Sequence, residues 1–94
     1  MESEEEIILE ILREAKKCHT NGYVRYDNNP PIKQDIAREL IDKKFVIGHE
    51  DSDGIPIIIG IRDAGIEYLE SMKLHTRIIL KLKQLFFVHQ SFLL

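Results

Sequence analysis

The sequence predicts an α+β fold with three to four helices and an antiparallel sheet of two to three strands. Apolar residues recur at helical spacing in three segments, near residues 3–18, 31–44 and 62–73. Between the second and third segments, residues 45–61 alternate as two strands joined by a tight turn do. Of the 94 residues, 44% are hydrophobic and 31% are charged, which is typical of one small globular domain.

The charge is unevenly distributed along the chain, whose formal net charge is −3. Residues 1–70 hold all 16 acidic residues and nine of the 13 basic ones, a balance of −7. Residues 71–94 hold the other four basic residues and no acidic one, a balance of +4. Tight, non-specific nucleic-acid binding depends on Lys and Arg contacting phosphates, so the acidic body argues against it.

Three features bear on the cellular compartment. No apolar run reaches the roughly 20 residues that a membrane-spanning helix needs. The first residues, MESEEEII, are acidic where a signal peptide is basic. Cys18 is the single cysteine, so no disulfide can form within the chain. We therefore expect a cytoplasmic protein without a membrane span.

The first helix is predicted over Ser3–Cys18. Ser3 and Glu6 have the spacing of a capping box, and the glutamates around them suit the positive end of the helix dipole. The apolar stripe of this helix consists of Ile7, Ile8, Ile11, Leu12, Ala15 and Cys18. Asn21-Gly22 supplies a stop, and Tyr23–Tyr26 is aromatic and β-branched enough to predict a short strand.

The second helix is predicted over Pro31–Lys44, with Asn29 as its N-cap and Pro30 at its first position. Its inward residues are predicted to be Ile32, Ile36, Ala37, Leu40 and Ile41. Its water-facing residues are predicted to be Lys33, Gln34, Arg38, Asp42 and Lys43.

The register of the hairpin follows from which residues share a face. A two-residue Asp53-Gly54 turn would split the bulky residues of the two strands between opposite faces. A three-residue loop ending at Gly54 instead pairs Ile47 with Ile59. Phe45 then opposes Ile61, and the bulky residues share one face. Because a one-residue slip moves every side chain to the other face, the pattern favours the three-residue loop, with Gly54 left-handed.

The third helix is predicted to begin near Asp63. Its inward stripe is predicted to consist of Ile66, Leu69 and either Met72 or Lys73, with Tyr68 at the edge of that stripe. Residues 1–73 are thus predicted to form one domain. Residues 74–94 are predicted to be a C-terminal helix that is both apolar and basic.

This C-terminal segment has more apolar surface than one exposed helix should leave bare. It can fold back to complete the core, pair with the same helix of another subunit, or bind a membrane surface. Lys81, Lys83 and Gln84 do not form a wide polar face, which makes the membrane the least favoured of the three. Dimerisation is favoured, and its candidate interface residues are Leu74, Ile78, Leu82, Leu85, Phe86 and Phe92.

Gly60–Glu70 and Ala37–Gly48 are two stretches that resemble the winged-helix superfamily. Gly60–Glu70, GIRDAGIEYLE, is similar to the Leu-Thr-x-x-Gly-x-x-Tyr-Leu pattern with which small bacterial and phage members end the wing and open the last helix. The matching positions are Ile61, Gly65, Tyr68 and Leu69, while Arg62 replaces the threonine. Ala37–Gly48, ARELIDKKFVIG, resembles the helix-to-wing junction of the same proteins. The resemblance covers about residues 4–72 and implies a winged helix.

The resemblance also implies duplex DNA as a partner, with the second helix in the major groove of a dimeric transcriptional regulator. The candidate DNA contacts are Lys33, Gln34, Arg38 and Lys43. The acidic residues of this helix nearly cancel their charge, and the wing at 45–61 contains no Lys or Arg. Residues 19–31 have little room for the helix that precedes a recognition helix. The alternative is a module that binds proteins and not DNA.

Motifs for catalysis and cofactor binding are weak. An EF-hand loop with Gly54 as its sixth residue would begin at His49 and end at Gly60, and neither is acidic, so a turn is the better interpretation of Asp51–Gly54. The four histidines lack metal-binding spacing, and Cys18 lies on an apolar stripe. The glycines are too scattered for a phosphate loop. We expect no metal, no cofactor, no small-molecule substrate and no enzymatic activity.

Overall fold

The structure is a computed structural model that describes residues 3–73 and, for residues 19–21, the backbone alone. The elements of this part of the chain are α1 (Glu4–Asn21), β1 (Val24–Arg25), α2 (Pro31–Asp42), β2 (Val46–Glu50), β3 (Pro56–Ile61) and α3, which is helical over residues 63–73. The strands form one open antiparallel sheet in the order β1-β3-β2. The predicted α+β class is confirmed, and the layout is compatible with a winged helix.

Helix α1 begins and ends where its capping residues predict. The Ser3 hydroxyl oxygen accepts a hydrogen bond from the Glu6 backbone N–H at 3.2 Å. The helix continues beyond Cys18 and ends at Gly22, whose φ of +93° places it in the left-handed region and whose N–H donates to the Cys18 carbonyl at 3.0 Å. No helix within residues 3–73 has both the length and the apolar character needed to cross a bilayer.

Helix α2 differs from the prediction at both ends. Its N-cap is Pro30, not Asn29, and no side chain caps it, because the chain turns into the helix at the second proline. The helix stops at Asp42, since Lys44 adopts a φ of +63° and the Phe45 N–H closes the turn onto the Leu40 carbonyl at 3.0 Å. Ile32 was predicted to be buried but is 56% exposed, because the buried face of α2 begins at Ile36.

The predicted hairpin register is correct at the tip and wrong at the base. The loop has three residues, and Asp51 pairs with Ile55 across it, with Gly54 at a φ of +77°. The register shifts between Ile47 and Gly48, so Ile47 opposes Gly60 and Ile59 is the extra residue of a β-bulge.

The bulge brings residues from both predicted faces of β3 into the core. Ile58 and Ile61 are three residues apart and both face the core, which a regular strand does not allow. Val46 from β2 joins them, whereas Ile59 is 46% exposed and Ile47 is partly buried. The prediction that Ile47 and Ile59 share the buried face is therefore wrong.

The core lies between α1, α2 and one face of the sheet, and α3 adds Leu69 to it. The predicted stripe of α1 is confirmed, with Ile8 only partly buried. The core residues are Ile7, Ile11, Leu12, Ala15, Tyr26, Ile36, Ala37, Leu40, Val46, Ile58, Ile61 and Leu69. Each large aliphatic side chain here contributes about 1.5–3 kcal/mol through burial.

Helix α3 approaches the hairpin base closely because residue 65 is glycine. A Cβ at Gly65 would collide with the Phe45 carbonyl oxygen and come within 2.8 Å of the Ile61 side chain. This approach fixes α3 beside Phe45 and brings Tyr68 next to it.

Candidate functional site

Lys33, the first DNA-binding candidate, does not face water as predicted. Its side chain is only 12% exposed, and its ammonium donates to Glu10 Oε1 at 2.7 Å and lies 3.2 Å from Glu14 Oε1. Nζ also lies 5.6 Å from the centroid of the Tyr26 ring. Burial works to lower the pKa of Lys33, but hydrogen bonds to the two carboxylates outweigh it and the pKa is raised. The charge of Lys33 therefore forms ion pairs between α2 and α1.

Gln34 and Arg38, the next two candidates, also have partners within the chain. Gln34 donates from Nε2 to the Asn29 carbonyl at 3.0 Å. Arg38 donates from Nη1 to Asp35 at 2.8 Å and from Nη2 to the Gly54 carbonyl at 2.8 Å, and its Nε lies 3.4 Å from Glu50. The guanidinium therefore clamps the hairpin tip onto α2.

Lys43 is the most accessible of the four candidates. Its side chain is 61% exposed and its Nζ lies 2.9 Å from Glu39 Oε1, one helical turn away. The hydrogen bond to Glu39 and the negative charges of Glu39 and Glu4 raise the pKa of Lys43. All three cations among the candidates are therefore paired with carboxylates of the same molecule.

A second arginine, Arg25, also forms ion pairs with carboxylates at the hairpin tip. We call residues 50–55 with the arginines that contact them, Arg25 and Arg38, the wing tip. Arg25 donates to Asp51 at 2.9 Å and to Asp27 at 2.8 Å, and lies 3.8 Å from Asp53. Together with the two carboxylates that contact Arg38, five carboxylates share two guanidinium groups, so the tip stays acidic.

Asp51 organises the loop of the wing tip. Its Oδ1 accepts hydrogen bonds from the backbone N–H groups of Asp53 at 2.9 Å and Ile55 at 3.0 Å. The Ile55 N–H, then Arg25 and the Asp53 N–H, hold the pKa of Asp51 below its ordinary value. This is the geometry of a side-chain-capped turn, as the sequence predicts for Asp51–Gly54.

On the other side of α2, an apolar groove opens between α1, α2 and the start of α3. It encloses about 130 Å³. Its lining residues are Glu4, Ile8, Leu12, Ile36, Glu39, Leu40, Lys43, Phe45 and Tyr68. Phe45 and Tyr68 form one wall, with ring centroids 6.3 Å apart and planes tilted by 59°. The floor is aliphatic, so the groove offers apolar contact and no base or nucleophile at its centre.

The rim of the groove carries its charge. Glu4 at the first turn of α1 and Glu39 on α2 contribute two carboxylates, and Lys43 neutralises one of them. Glu5 and Glu6, both exposed, follow Glu4 on α1. The rim is therefore negative, and it surrounds an apolar surface that no other part of residues 3–73 covers.

A small polar cluster lies beneath α1 in the core. Tyr26 is fully buried and its hydroxyl has no hydrogen-bond partner within residues 3–73. Burial, then the charges of Glu14, Cys18 and Glu10, raises the pKa of Tyr26. Burial also raises the pKa of the Cys18 thiol, and Cys18 Sγ donates to the Glu14 carbonyl at 3.4 Å and lies 3.6 Å from the Ile58 carbonyl. The predicted core position of Cys18 is confirmed, and its thiol stays protonated near neutral pH.

The predicted dimer interface residues, from Leu74 to Phe92, lie outside the described residues. The groove was not predicted, because its residues come from three helices and the α2–β2 connection, and no local pattern reveals how these are placed against one another. The one signal was the position of Tyr68 at the edge of the α3 stripe. Among residues 3–73, no group of three or more His, Cys, Asp or Glu side chains is placed to hold a metal.

Comparisons with known proteins add no relative. No family model matches the chain, and neither a curated protein nor a solved structure matches it.

Proposed function

We propose that this chain is a non-enzymatic interaction module on a winged-helix-like scaffold, and that its partner is a protein and not DNA. The observation that carries the proposal is the pairing of Lys33, Arg38 and Lys43 with carboxylates of the same molecule. Nucleic-acid binding draws much of its affinity from Lys and Arg side chains that neutralise phosphates and so release the cations condensed on the nucleic acid, and these three side chains already have anionic partners.

Two further observations support a protein partner. The wing tip is acidic, so the element that reaches the backbone or minor groove in DNA-binding relatives of this fold would here repel phosphates. The groove on the other side of α2 is apolar and uncovered within the described residues, and uncovered apolar surface with a polar rim is typical of protein interfaces.

The non-enzymatic part of the proposal is supported by Cys18. It is the single thiol of the chain, and it is buried with a raised pKa, which makes it a poor nucleophile. A cytoplasmic location stays a prediction from the same residue, since a lone buried thiol fits a reducing compartment.

A DNA titration tests the proposal directly. Labelled duplexes of random sequence are titrated with the full chain at low salt and then through rising salt, and anisotropy is measured. We expect no saturable binding. Saturable binding whose affinity falls steeply with salt would contradict the proposal and favour the dimeric DNA-binding regulator instead.

A charge variant shows whether the carboxylates beside α2 are what prevents DNA binding. Asp35→Asn, Glu39→Gln and Glu50→Gln together neutralise the carboxylates that pair with Arg38 and Lys43. The matched control removes three exposed carboxylates elsewhere, with Glu5→Gln, Glu6→Gln and Glu70→Gln. Salt-dependent DNA binding that appears in the first variant and not in the control would show that intramolecular pairing suppresses it.

A further inference from the structure

The groove beside α2 has the size of one large apolar side chain. Its volume is about 130 Å³. A protein cavity of about 150 Å³ accommodates a benzene ring, so a Leu or Phe side chain suits the groove. Helices that bind grooves of this kind insert such a side chain as an anchor and lay their flanks on the surrounding surface.

Residues 74–94 of the same chain have the composition of such an occupant. Twelve of these 21 residues are hydrophobic, and none is acidic. The sequence pattern predicts a helix whose apolar rows contain Leu, Ile and Phe, the side chains that the groove suits. The segment lies outside the described residues, and it is long enough to present several turns of helix.

The charges of the segment and the rim are complementary. Arg77, Lys81 and Lys83 are the charged residues of 74–94, and all are basic. The rim of the groove carries Glu4 and Glu39, and because Lys43 is paired to Glu39, Glu4 supplies the net negative charge of the rim. An arginine or lysine that flanks an apolar anchor would therefore approach a negative rim, which favours encounter and orientation.

The residues that follow Tyr68 along the chain indicate that the occupant of the groove comes from a second copy. Tyr68 lines the groove, and α3 continues to residue 73, about 7–8 Å further along its axis. A segment that returned to the groove of its own chain would have to reverse direction soon after that point. Of the residues that dominate turns, residues 66–94 contain no Gly, Pro, Asn or Asp, and their two serines are Ser71, which lies within α3, and Ser91, which lies far from that point.

We propose that the groove binds an apolar side chain from residues 74–94 of a second copy of this chain, with Glu4 facing the basic residues of that segment. This assignment of the groove rests on the proposed function, because it assumes that the partner is a protein. It specifies where the predicted dimer candidates dock: on α1, α2 and Tyr68 of the other subunit, and not on one another.

Isotope-filtered NMR on the full chain tests which molecule fills the groove. Labelled and unlabelled protein are mixed, unfolded and refolded together, and NOEs between the Tyr68 ring and the methyl groups of residues 74–94 are recorded. We expect NOEs between copies. NOEs within one copy only, contacts between the two segments only, or a monomer without such contacts would each overturn the proposal.

A matched pair of charge reversals tests the role of the rim. Glu4→Lys places a positive charge at the groove, whereas Glu5→Lys makes the same change one residue away, outside the lining. We expect Glu4→Lys to raise the dimer dissociation constant roughly tenfold, as loss of a favourable charge contact does. Glu5→Lys should change it less than about twofold. Equal effects of the two would mean general charge attraction and would overturn the assignment to the groove.

The outcomes separate this proposal from the proposed function. Binding to duplex DNA together with NOEs between copies would contradict the protein-interaction function and support the groove assignment. A monomer that does not bind DNA would overturn the groove assignment and leave the proposed function standing.

Discussion

The wing tip and the groove both border α2, but they differ in whether their side chains already have partners within the molecule. At the wing tip, Arg25 and Arg38 bind five carboxylates and a backbone carbonyl, and the groups that could contact a ligand already have partners. At the groove, Phe45, Tyr68 and the aliphatic floor pack against one another, and nothing among residues 3–73 covers them. This contrast supports the proposal that a protein partner binds on the apolar side of α2.

The largest expected effect is on the groove side, at Gly65. Gly65→Ala should destabilise the fold by about 2–3 kcal/mol, because the new Cβ would collide with the Phe45 carbonyl and the Ile61 side chain. The steric cost exceeds the roughly 1 kcal/mol that alanine gains over glycine in a helix. Urea unfolding measures the change. An unchanged or higher stability would show that α3 can move away, and that the groove wall is not fixed as described.

Replacing Gly54 at the wing tip should cost less stability than replacing Gly65, and the cost should come from backbone conformation and not from a steric collision. Its φ is +77° and nothing lies within 4 Å of where a Cβ would stand, so only the backbone conformation resists substitution. Gly54→Ala should cost about 1–2 kcal/mol. Gly54→Asn is the control, since asparagine tolerates the left-handed region and should cost less in the same urea titration. Equal costs for the two would remove the conformational explanation.

The elements and most of the core could be predicted from the sequence. The stripe of α1, its cap at Ser3 and its stop at Gly22 depend on neighbours within a few residues, and these predictions are confirmed. The three-residue loop at Gly54 is confirmed for the same reason. Local chemistry is sufficient wherever the partner of a group is close along the chain.

What could not be predicted depends on distant partners. The bulge at Ile59 arises because Ile58 and Ile61 must both reach a core shaped by α1, and alternation along one strand cannot show that. Lys33 was assigned to water because lysine usually is exposed, but Glu10 and Glu14 on α1 draw it inward. The groove was missed because it exists only once the helices are placed against one another.

A smaller effect is expected at Arg38, which joins α2 to Glu50 and to the Gly54 carbonyl. Arg38→Met keeps the length and apolar stem but removes the bonds to Asp35, Glu50 and the Gly54 carbonyl. We expect a loss of about 1 kcal/mol, because the site is partly exposed and charge pairs there are screened. Lys43→Met is the control: its single exposed pair should leave the urea midpoint unchanged. If the two variants lose the same stability, the wing tip is not clamped by Arg38.

The smallest effect concerns the acid sensitivity of the wing tip, through Asp51. Its lowered pKa means that the folded state favours the carboxylate. Asp51 therefore stabilises the fold above about pH 4, and this contribution is lost as pH falls through the carboxyl range. Asp51→Asn keeps an oxygen for the Asp53 and Ile55 N–H groups but loses the charge beside Arg25. The variant should be less stable than the wild type at pH 7 and nearly equal to it in acid.

Asp53→Asn is the matched control for this measurement. Its carboxylate is 78% exposed and 3.8 Å from Arg25, so it should leave the difference in unfolding free energy between pH 7 and pH 3 as in the wild type. Asp51→Asn should reduce that difference, because one of the carboxylates that must be protonated on unfolding in acid is gone. If both variants reduce it equally, the tip responds to its total charge and not to the hydrogen bonds of Asp51. The wing tip would then be a diffuse acidic surface, open to a basic partner, and the contrast with the groove would weaken.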